Sequence, residues 1–367
     1  MYSMMPTYYE PYDYIKTIPD FDILLSREEA SSLCGLIREY RPKKIVELGV
    51  AAGGSTCMIL KCMEFLGMND TKFVSVDLDT TYYRNREKNV GHLLTENTKE
   101  YKLHYNHTLL TGKYPVEFLN KVGEDIDFLF LDTLHALPGE VLDFLLLYPH
   151  LSPNAIVVLH DTNMHNLNDV MWQCNRALIN SITAHKFFNK ERAYLNIGAL
   201  QIVPDTKKYI ADVFSTLLLP WFFTQNNDVL CKYEVEYEKH YSQECLDIWE
   251  AAKRTNAIAT MRRVLHMSPK KIYVYGCGNL GTKLIRFLHH LHYNIAGIIV
   301  SDDINIDTFQ PSFDDRIYHF SDIPSKPDDC FIIVGTLVPE VISTLKKSEY
   351  EYYRPMRDFF NYIDLNY

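Results

Sequence analysis

Lys44-Ile-Val-Glu47-Leu-Gly49-Val-Ala-Ala-Gly53-Gly54-Ser55-Thr56 is the stretch that decides the fold. A short apolar run ends in an acid, a glycine-rich turn follows, and Cys57–Phe65 then reads as a helix. Glycines let the backbone approach a ligand closely, and a helix start offers N–H groups that have no partner within the helix. The spacing is Glu-x-Gly-x-x-x-Gly rather than the Gly-x-Gly-x-x-Gly of dinucleotide loops. One run later, Phe73-Val-Ser-Val-Asp77-Leu-Asp79 closes a strand with acids. An acid at that distance past a glycine loop can accept hydrogen bonds from ribose hydroxyls. The plainer alternative is a glycine turn packing helix on strand, with solvated acids beyond it. The two signals together weigh against it more than either does alone.

Outward from this stretch the same rhythm continues. Lys44–Leu48, Phe73–Val76, Ile126–Leu131 and Ala155–Leu159 are near-continuous apolar runs, as expected of strands buried on both faces. Amphipathic stretches separate them, which predicts an α/β domain with a mainly parallel sheet. Ser26-Arg-Glu-Glu29 supplies an N-cap and a Glu at its third position, so a helix starts there. Tyr194–Asn196, Gly198 and Leu200–Val203 are expected to form a closing hairpin, and the domain to end near Pro204. Residues 1–25 read as an irregular N-terminal arm. Residues 205–269 read as a helical connector, making either an oligomer contact or packing only on its own chain. Residues 270–367 read as a second, smaller α/β domain.

Composition narrows the function. The chain has 367 residues with 37 Lys and Arg against 47 Asp and Glu, a formal charge of −10. Phosphate-backbone affinity needs concentrated cations, so nucleic acid is not an expected partner. The start Met1-Tyr-Ser-Met-Met-Pro has neither a basic nor an apolar signal region, and no apolar run nears the 18 residues of a membrane helix. The eight cysteines are scattered without a Cys-x-x-Cys pair, which suits reduced thiols in a cytoplasmic protein.

Residues 40–203 resemble a class I S-adenosylmethionine-dependent methyltransferase. Val46–Ser55 resembles motif I of that fold, and Val74-Ser-Val-Asp77 its ribose-binding strand. Ile126-Asp-Phe-Leu-Phe-Leu-Asp132-Thr-Leu-His135, followed by Leu151–Thr162, resembles the small-molecule O-methyltransferase branch. That branch includes cephalosporin hydroxylase-like and macrolide-sugar methyltransferases. The resemblance implies S-adenosylmethionine as cofactor, with contacts from Glu47, Gly49, Gly53, Ser55 and Asp77.

Asp132 and Asp161 end adjacent parallel strands and so project over the carboxyl edge, where doubly wound sheets bind ligands. Two carboxylates there suit a hard divalent cation such as Mg²⁺, which lowers the pKa of a bound hydroxyl. Relatives place ligands at the Asp matching Asp132 and at an acidic pair matching His160 and Asp161. This chain has His at 160, which turns the preference toward metals such as Mn²⁺. The expected metal set is Asp132, His160 and Asp161. His135, three residues past Asp132, is the first choice for general base, because catechol-type relatives carry a Lys base at this spacing. The plainer reading is that His135 caps the helix near Pro138. His160 is the alternative base or a substrate hydrogen-bond partner. His104 and His107 read as structural, and His165 as a surface histidine or a further residue of this edge.

Lys271-Ile-Tyr-Val-Tyr-Gly276-Cys-Gly278-Asn-Leu-Gly281 is a Gly-x-Gly-x-x-Gly between a strand and a helix, with Asp302 about 20 residues on. It resembles the small Rossmann-like domains attached to bacterial sugar-modifying enzymes and acyltransferases. NAD, a nucleotide or a nucleotide-linked sugar would fit Gly276, Gly278, Gly281 and Asp302, and a unit used only for packing is the alternative. The expectation is an O-methyltransferase of carbohydrate biosynthesis acting on a hydroxyl of a sugar, nucleotide-sugar or similar small metabolite, with divalent metal assistance. A non-catalytic binding module is its rival, and a metal-dependent oxygenase is a weaker one.

Overall fold

The computed structural model describes residues 2–18, 21, 23–96, 106–163, 174–188, 196–221, 227–267, 270–306 and 315–355. His104, Tyr194 and His165 therefore lie outside the described residues. The chain divides into two compact units, Met1–Phe223 with Asp228–Trp249, and Thr224–Asn227 with Glu250–Tyr367.

Ten strands belong to the first unit. They are β1 (Tyr2–Met4), β2 (Lys44–Leu48), β3 (Lys72–Asp77), β4 (Thr81–Tyr82), β5 (Asn85–Asn89), β6 (His107–Thr111), β7 (Ile126–Leu131), β8 (Leu151–His160), β9 (His185–Phe188) and β10 (Ile197–Gln201). Eight form one sheet in the order β1-β9-β10-β8-β7-β2-β3-β6, and β4 and β5 pair as a separate ribbon. The five central strands β6, β3, β2, β7 and β8 run parallel. Only then is the sheet reversed, by β10 lying antiparallel to both β8 and β9. Because β2 and β7 are interior strands with neighbours on both sides, Ile45, Val46, Phe128, Leu129 and Phe130 are wholly buried, as their apolar runs require. This is the doubly wound α/β fold expected from the sequence.

The edges differ from the expectation in two places. The second arm of the closing hairpin is β9, not a part of 194–203, since Ile197–Gln201 is a single strand. Nor is the N-terminal arm irregular. Tyr2–Met4 adds a parallel edge strand to β9 and Glu10–Ile15 forms a helix, with Ile15 fully buried. The helix Arg27–Tyr40 opens with the reciprocal cap, Ser26 and Glu29 bonding each other's backbone.

Of the segment past 204, the part up to Phe223 and Asp228–Trp249 belong to the first unit, and the chain from Glu250 on belongs to the second. On helix Asn227–His240 and just beyond it, Tyr233, Tyr237 and Tyr241 recur every four residues and so share one face. Their hydroxyls donate to the Asp143 carboxylate, the Leu142 carbonyl and the Leu145 carbonyl of helix Gly139–Leu147. This face is thus used within the chain, the simpler of the two readings of the connector.

Asp143 gives a testable pH dependence. Burial raises its carboxyl from 3.8 to about 7, with the Tyr233 hydrogen bond pulling the other way. The folded protein keeps this proton in a window where the unfolded chain has lost it, so the group's contribution to stability falls as pH rises from about 4 to about 7. Asp143→Asn keeps an acceptor for Tyr233 and removes the ionisation. In denaturant unfolding it is expected to gain on the wild type between pH 5 and pH 8, by at most roughly 4 kcal/mol. A gap that stays constant across that range would refute the assignment.

The second unit holds β11 (Lys271–Tyr275), β12 (Ile295–Val300), β13 (Ile317–His319), β14 (Cys330–Val334) and β15 (Glu351–Tyr353). All run parallel in the order β13-β12-β11-β14-β15. Counted along the chain this is 3-2-1-4-5, so the order reverses between β11 and β14, as it does where the two halves of a dinucleotide-binding fold meet. Among the described residues of the chain, no helix is long and apolar enough to cross a membrane.

Candidate functional site

The glycine turn after β2 is pinned from several sides. Gly49 sits at φ +91, and a Cβ there would come 1.9 Å from the Asp132 carbonyl oxygen. Gly53, at φ +95, begins the helix Gly54–Phe65 and lies against Gly91. Asp77, at the end of β3, closes over the turn. One of its carboxylate oxygens accepts from the Val50 and Ala51 N–H groups at 2.9 and 3.0 Å, and the other from the Asp79 N–H at 2.9 Å. A carboxylate has about four acceptor sites, so capacity remains for a ligand hydroxyl.

Glu47, expected as a cofactor contact, is 0% exposed, and Ser55 bonds to it. Its carboxylate accepts from the hydroxyls of Ser55, Thr56 and Ser75 at 2.6, 2.7 and 2.7 Å. Burial raises its carboxyl to about 7 despite these donors. The pair ties the start of the helix Gly54–Phe65 to β2 and β3, so both residues shape the turn from behind. His107 on β6 extends this chain, its Nε2 lying 2.9 Å from the Ser75 hydroxyl, and burial lowers its pKa to about 4.

Beyond the turn, the ends of β7 and β8 bring together Asp132, His135, His160 and Asp161. His135 and Asp161 both adopt left-handed backbone, at φ 60 and φ 54. Such strain in residues other than glycine gathers at functional sites. The turn at His135 folds its imidazole back over the strand ends. Its Nε2 lies 2.9 Å from Asp161 Oδ2 and 3.8 Å from Asp132 Oδ1. Ligand atoms of Asp132, His135 and Asp161 all fall within 4.8 Å of one another.

His160 lies beneath them. Its Nδ1 is 3.1 Å from Asp132 and 3.5 Å from Asp161, and its Nε2 is 3.6 Å from Glu29. Both histidines therefore contact both aspartates: His135, expected as the base, through Nε2, and His160, expected as a ligand, through Nδ1. Burial alone would lower the pKa of His135, but the bonds to Asp161 and Glu140 outweigh that and raise it to about 10. A cation at Nε2 would take the place of that nitrogen's proton, since only the neutral ring can ligate.

Four residues around the cluster escaped the sequence reading as members of a site. Glu29 arrives from the helix Arg27–Tyr40, where it was visible only as a capping residue. Glu140 is buried behind His135. Asn175 donates to the His160 carbonyl at 2.6 Å, and Asn196 donates to Asp161. Each lies far along the chain from its partner or inside a helix start, so no local spacing announced it.

In the second unit, Gly276 has φ +109 and a Cβ on Gly281 would lie 1.9 Å from the Gly276 carbonyl. Gly278 precedes the helix Asn279–His290 with no atom within 4 Å of where its Cβ would stand. Asp302, after β12, accepts the Ser321 N–H at 3.0 Å.

A family model described as a methyltransferase domain matches residues 46–162. No curated protein matches the chain. Among solved structures the chain is similar to TomG, an O-methyltransferase from Streptomyces achromogenes solved with S-adenosylmethionine. The identity is 13%, over 54% of this chain and 92% of that one, with a TM-score of 0.37. The methyltransferase PaMTH1 of Podospora anserina, bound to S-adenosylhomocysteine, shares 19% over 52% and 85% of the two chains, also at 0.37. An O-methyltransferase from Bacillus cereus shares 13% over 52% and 87%, at 0.33. The matched segment runs from the middle of β2 to just past β8 and contains the glycine turn, Asp77, Asp132, His135 and Asp161. The segment 46–162 is thus similar to a methyltransferase domain, and it is the segment that carries the glycine turn and the strand-end cluster.

Proposed function

We propose that the domain methylates a hydroxyl group of a small acceptor, and that Asp132, His135 and Asp161 hold a divalent cation beside it. The observation that carries this reading is the gathering of these three side chains at the carboxyl edge, directly behind the glycine turn that Asp77 fastens. A buried set of four carboxylates, Glu29, Asp132, Glu140 and Asp161, faces two imidazoles. With His135 neutral, as a ligand must be, and His160 protonated, the set keeps an excess of three negative charges, which attracts a divalent cation. Mixed carboxylate and imidazole donors suit Mn²⁺ as well as Mg²⁺. Such an ion lowers the pKa of a hydroxyl that it touches.

The protein's own part is alignment and proton handling. Gly49 and Gly53 bring the backbone close to the methyl donor, and Asp77 offers acceptors to its ribose. Methyl transfer from a sulfonium needs the nucleophile, the methyl carbon and the sulfur in line, which is a matter of positioning. Asp132, with the most open side chain of the three at 18%, takes the hydroxyl proton on its free oxygen. The parallel 3-2-1-4-5 sheet of the second unit supports an acceptor that carries a nucleotide, such as a nucleotide-linked sugar, with Gly276, Gly278, Gly281 and Asp302 at its edge.

Calorimetric titration with S-adenosylhomocysteine tests the foundation. One-to-one binding is expected, weakened at least tenfold in Asp77→Ala. A folded protein, free of co-purified cofactor, that gave no heat would overturn the reading. Methyl transfer from S-adenosylmethionine to a panel of sugars and nucleotide-sugars then identifies the acceptor class.

A further inference from the structure

We infer that Glu140 is the positioning residue of the cation site: its buried carboxylate locks the left-handed turn at His135 and aims the imidazole at Asp132 and Asp161. The inference rests on the cation reading above and assigns a task to a side chain outside the ligand set. Glu140 is the second residue of helix Gly139–Leu147 and is 0% exposed. Its Oε1 accepts the His135 backbone N–H at 2.6 Å and also lies 3.2 Å from His135 Nδ1. One oxygen therefore grips the residue at two points, the main chain and the ring.

These two contacts have separate consequences. A histidine at φ 60 would relax toward ordinary backbone unless something held it, and the bond to its N–H does so. A carboxylate beside Nδ1 keeps the proton on that nitrogen, which leaves Nε2 as the ligating atom. Nε2 is the nitrogen that points at Asp161. The arrangement reads Glu140, His135, Asp161 in line. A looser parallel runs from Glu29 through His160 to Asp132, with its outer contact at 3.6 Å. A charged carboxylate this deep is costly without a donor. The Oε2 atom of Glu140 is buried with no hydrogen-bond partner, so the charge is held at Oε1, by His135 and by the Asn175 side-chain N–H at 3.5 Å.

The test uses the full chain with Mn²⁺ alone as probe. In Glu140→Gln and Glu140→Asp, Mn²⁺ affinity read by electron paramagnetic resonance is expected to fall about 10- to 100-fold, while S-adenosylhomocysteine affinity stays within twofold. If Glu140→Gln melts below the assay temperature, Glu140→Asp, which keeps the charge, decides. The effect should vanish in a His135→Gln background, because Glu140 acts through that ring. Wild-type Mn²⁺ affinity in a folded Glu140 variant, or an undiminished effect in that background, would overturn the inference.

A second readout needs no metal. The Nδ1–H proton signal of His135 in ¹⁵N-histidine-labelled protein, identified by its loss in His135→Gln, should be present in the wild type and absent or shifted in Glu140→Gln. If the wild type binds no Mn²⁺ yet shows this change, the cation reading fails and the positioning role stands. If the signal is indifferent to Glu140, the positioning role fails whatever the metal result.

Discussion

Gly49→Ala is expected to cost the protein both its cofactor binding and a large share of its stability. At φ +91 an alanine is strained, and its Cβ would lie 1.9 Å from the Asp132 carbonyl oxygen and 2.6 Å from the carbonyl carbon. Neither atom can move cheaply. The Asp132 N–H donates to the Leu48 carbonyl at 2.9 Å, so β2 and β7 are joined at this point. Relief would have to come from opening the sheet at its centre, which puts the loss at about 3–5 kcal/mol. For a unit of this size that is roughly a 10 °C fall in melting temperature. The same shift drags Asp132 from its place, so S-adenosylhomocysteine binding and turnover should fail together. Gly67→Ala is the control. That residue also has positive φ, at +64, but nothing lies within 4 Å of its Cβ, so about 1 kcal/mol is expected. Similar melting curves for the two variants would refute the account.

Asp132→Ala should separate chemistry from cofactor binding. The carboxylate lies 3.1 Å from His160 and 3.8 Å from His135, on the acceptor side of the turn. Its removal leaves the Gly49 packing intact, since that packing uses only the Asp132 backbone. Turnover with the acceptor found by screening is expected to fall about 100-fold or more, with S-adenosylhomocysteine affinity within threefold of wild type. Full activity in this variant would remove Asp132 from the reaction and with it the proposed cation site.

What the sequence made legible follows from distance along the chain. The strand–turn–helix of residues 44–65 is a local object, and so are the acids that end β3, β7 and β8. Their exposure at one edge follows from parallel strands alone. The convergence of His135 on Asp132 and Asp161 was not legible, because it depends on a left-handed turn at a histidine with no glycine to signal it. Nor was the inward aim of Glu47, whose three hydroxyl partners lie 8, 9 and 28 residues away. The arm at residues 2–4 looked irregular because an edge strand needs its neighbour to exist, and that neighbour starts at His185. Periodicity also marked 205–267 as helical without showing which surface the tyrosines would meet.

Those tyrosines bear on how the protein can be dissected. A polypeptide ending at Pro204 would retain the complete large sheet and the segment that matches the methyltransferase-domain model. It would nonetheless lack the three phenols that seat helix Gly139–Leu147, and the Asp143 carboxyl would lose its only described side-chain donor. It would also lack Trp249, which packs edge-on against Tyr237 and stacks on Trp221. Since that helix carries Glu140 at its start, damage there would reach the site. The shortest fragment that preserves the helix's seating ends after Trp249, 48 residues beyond the last strand of the sheet.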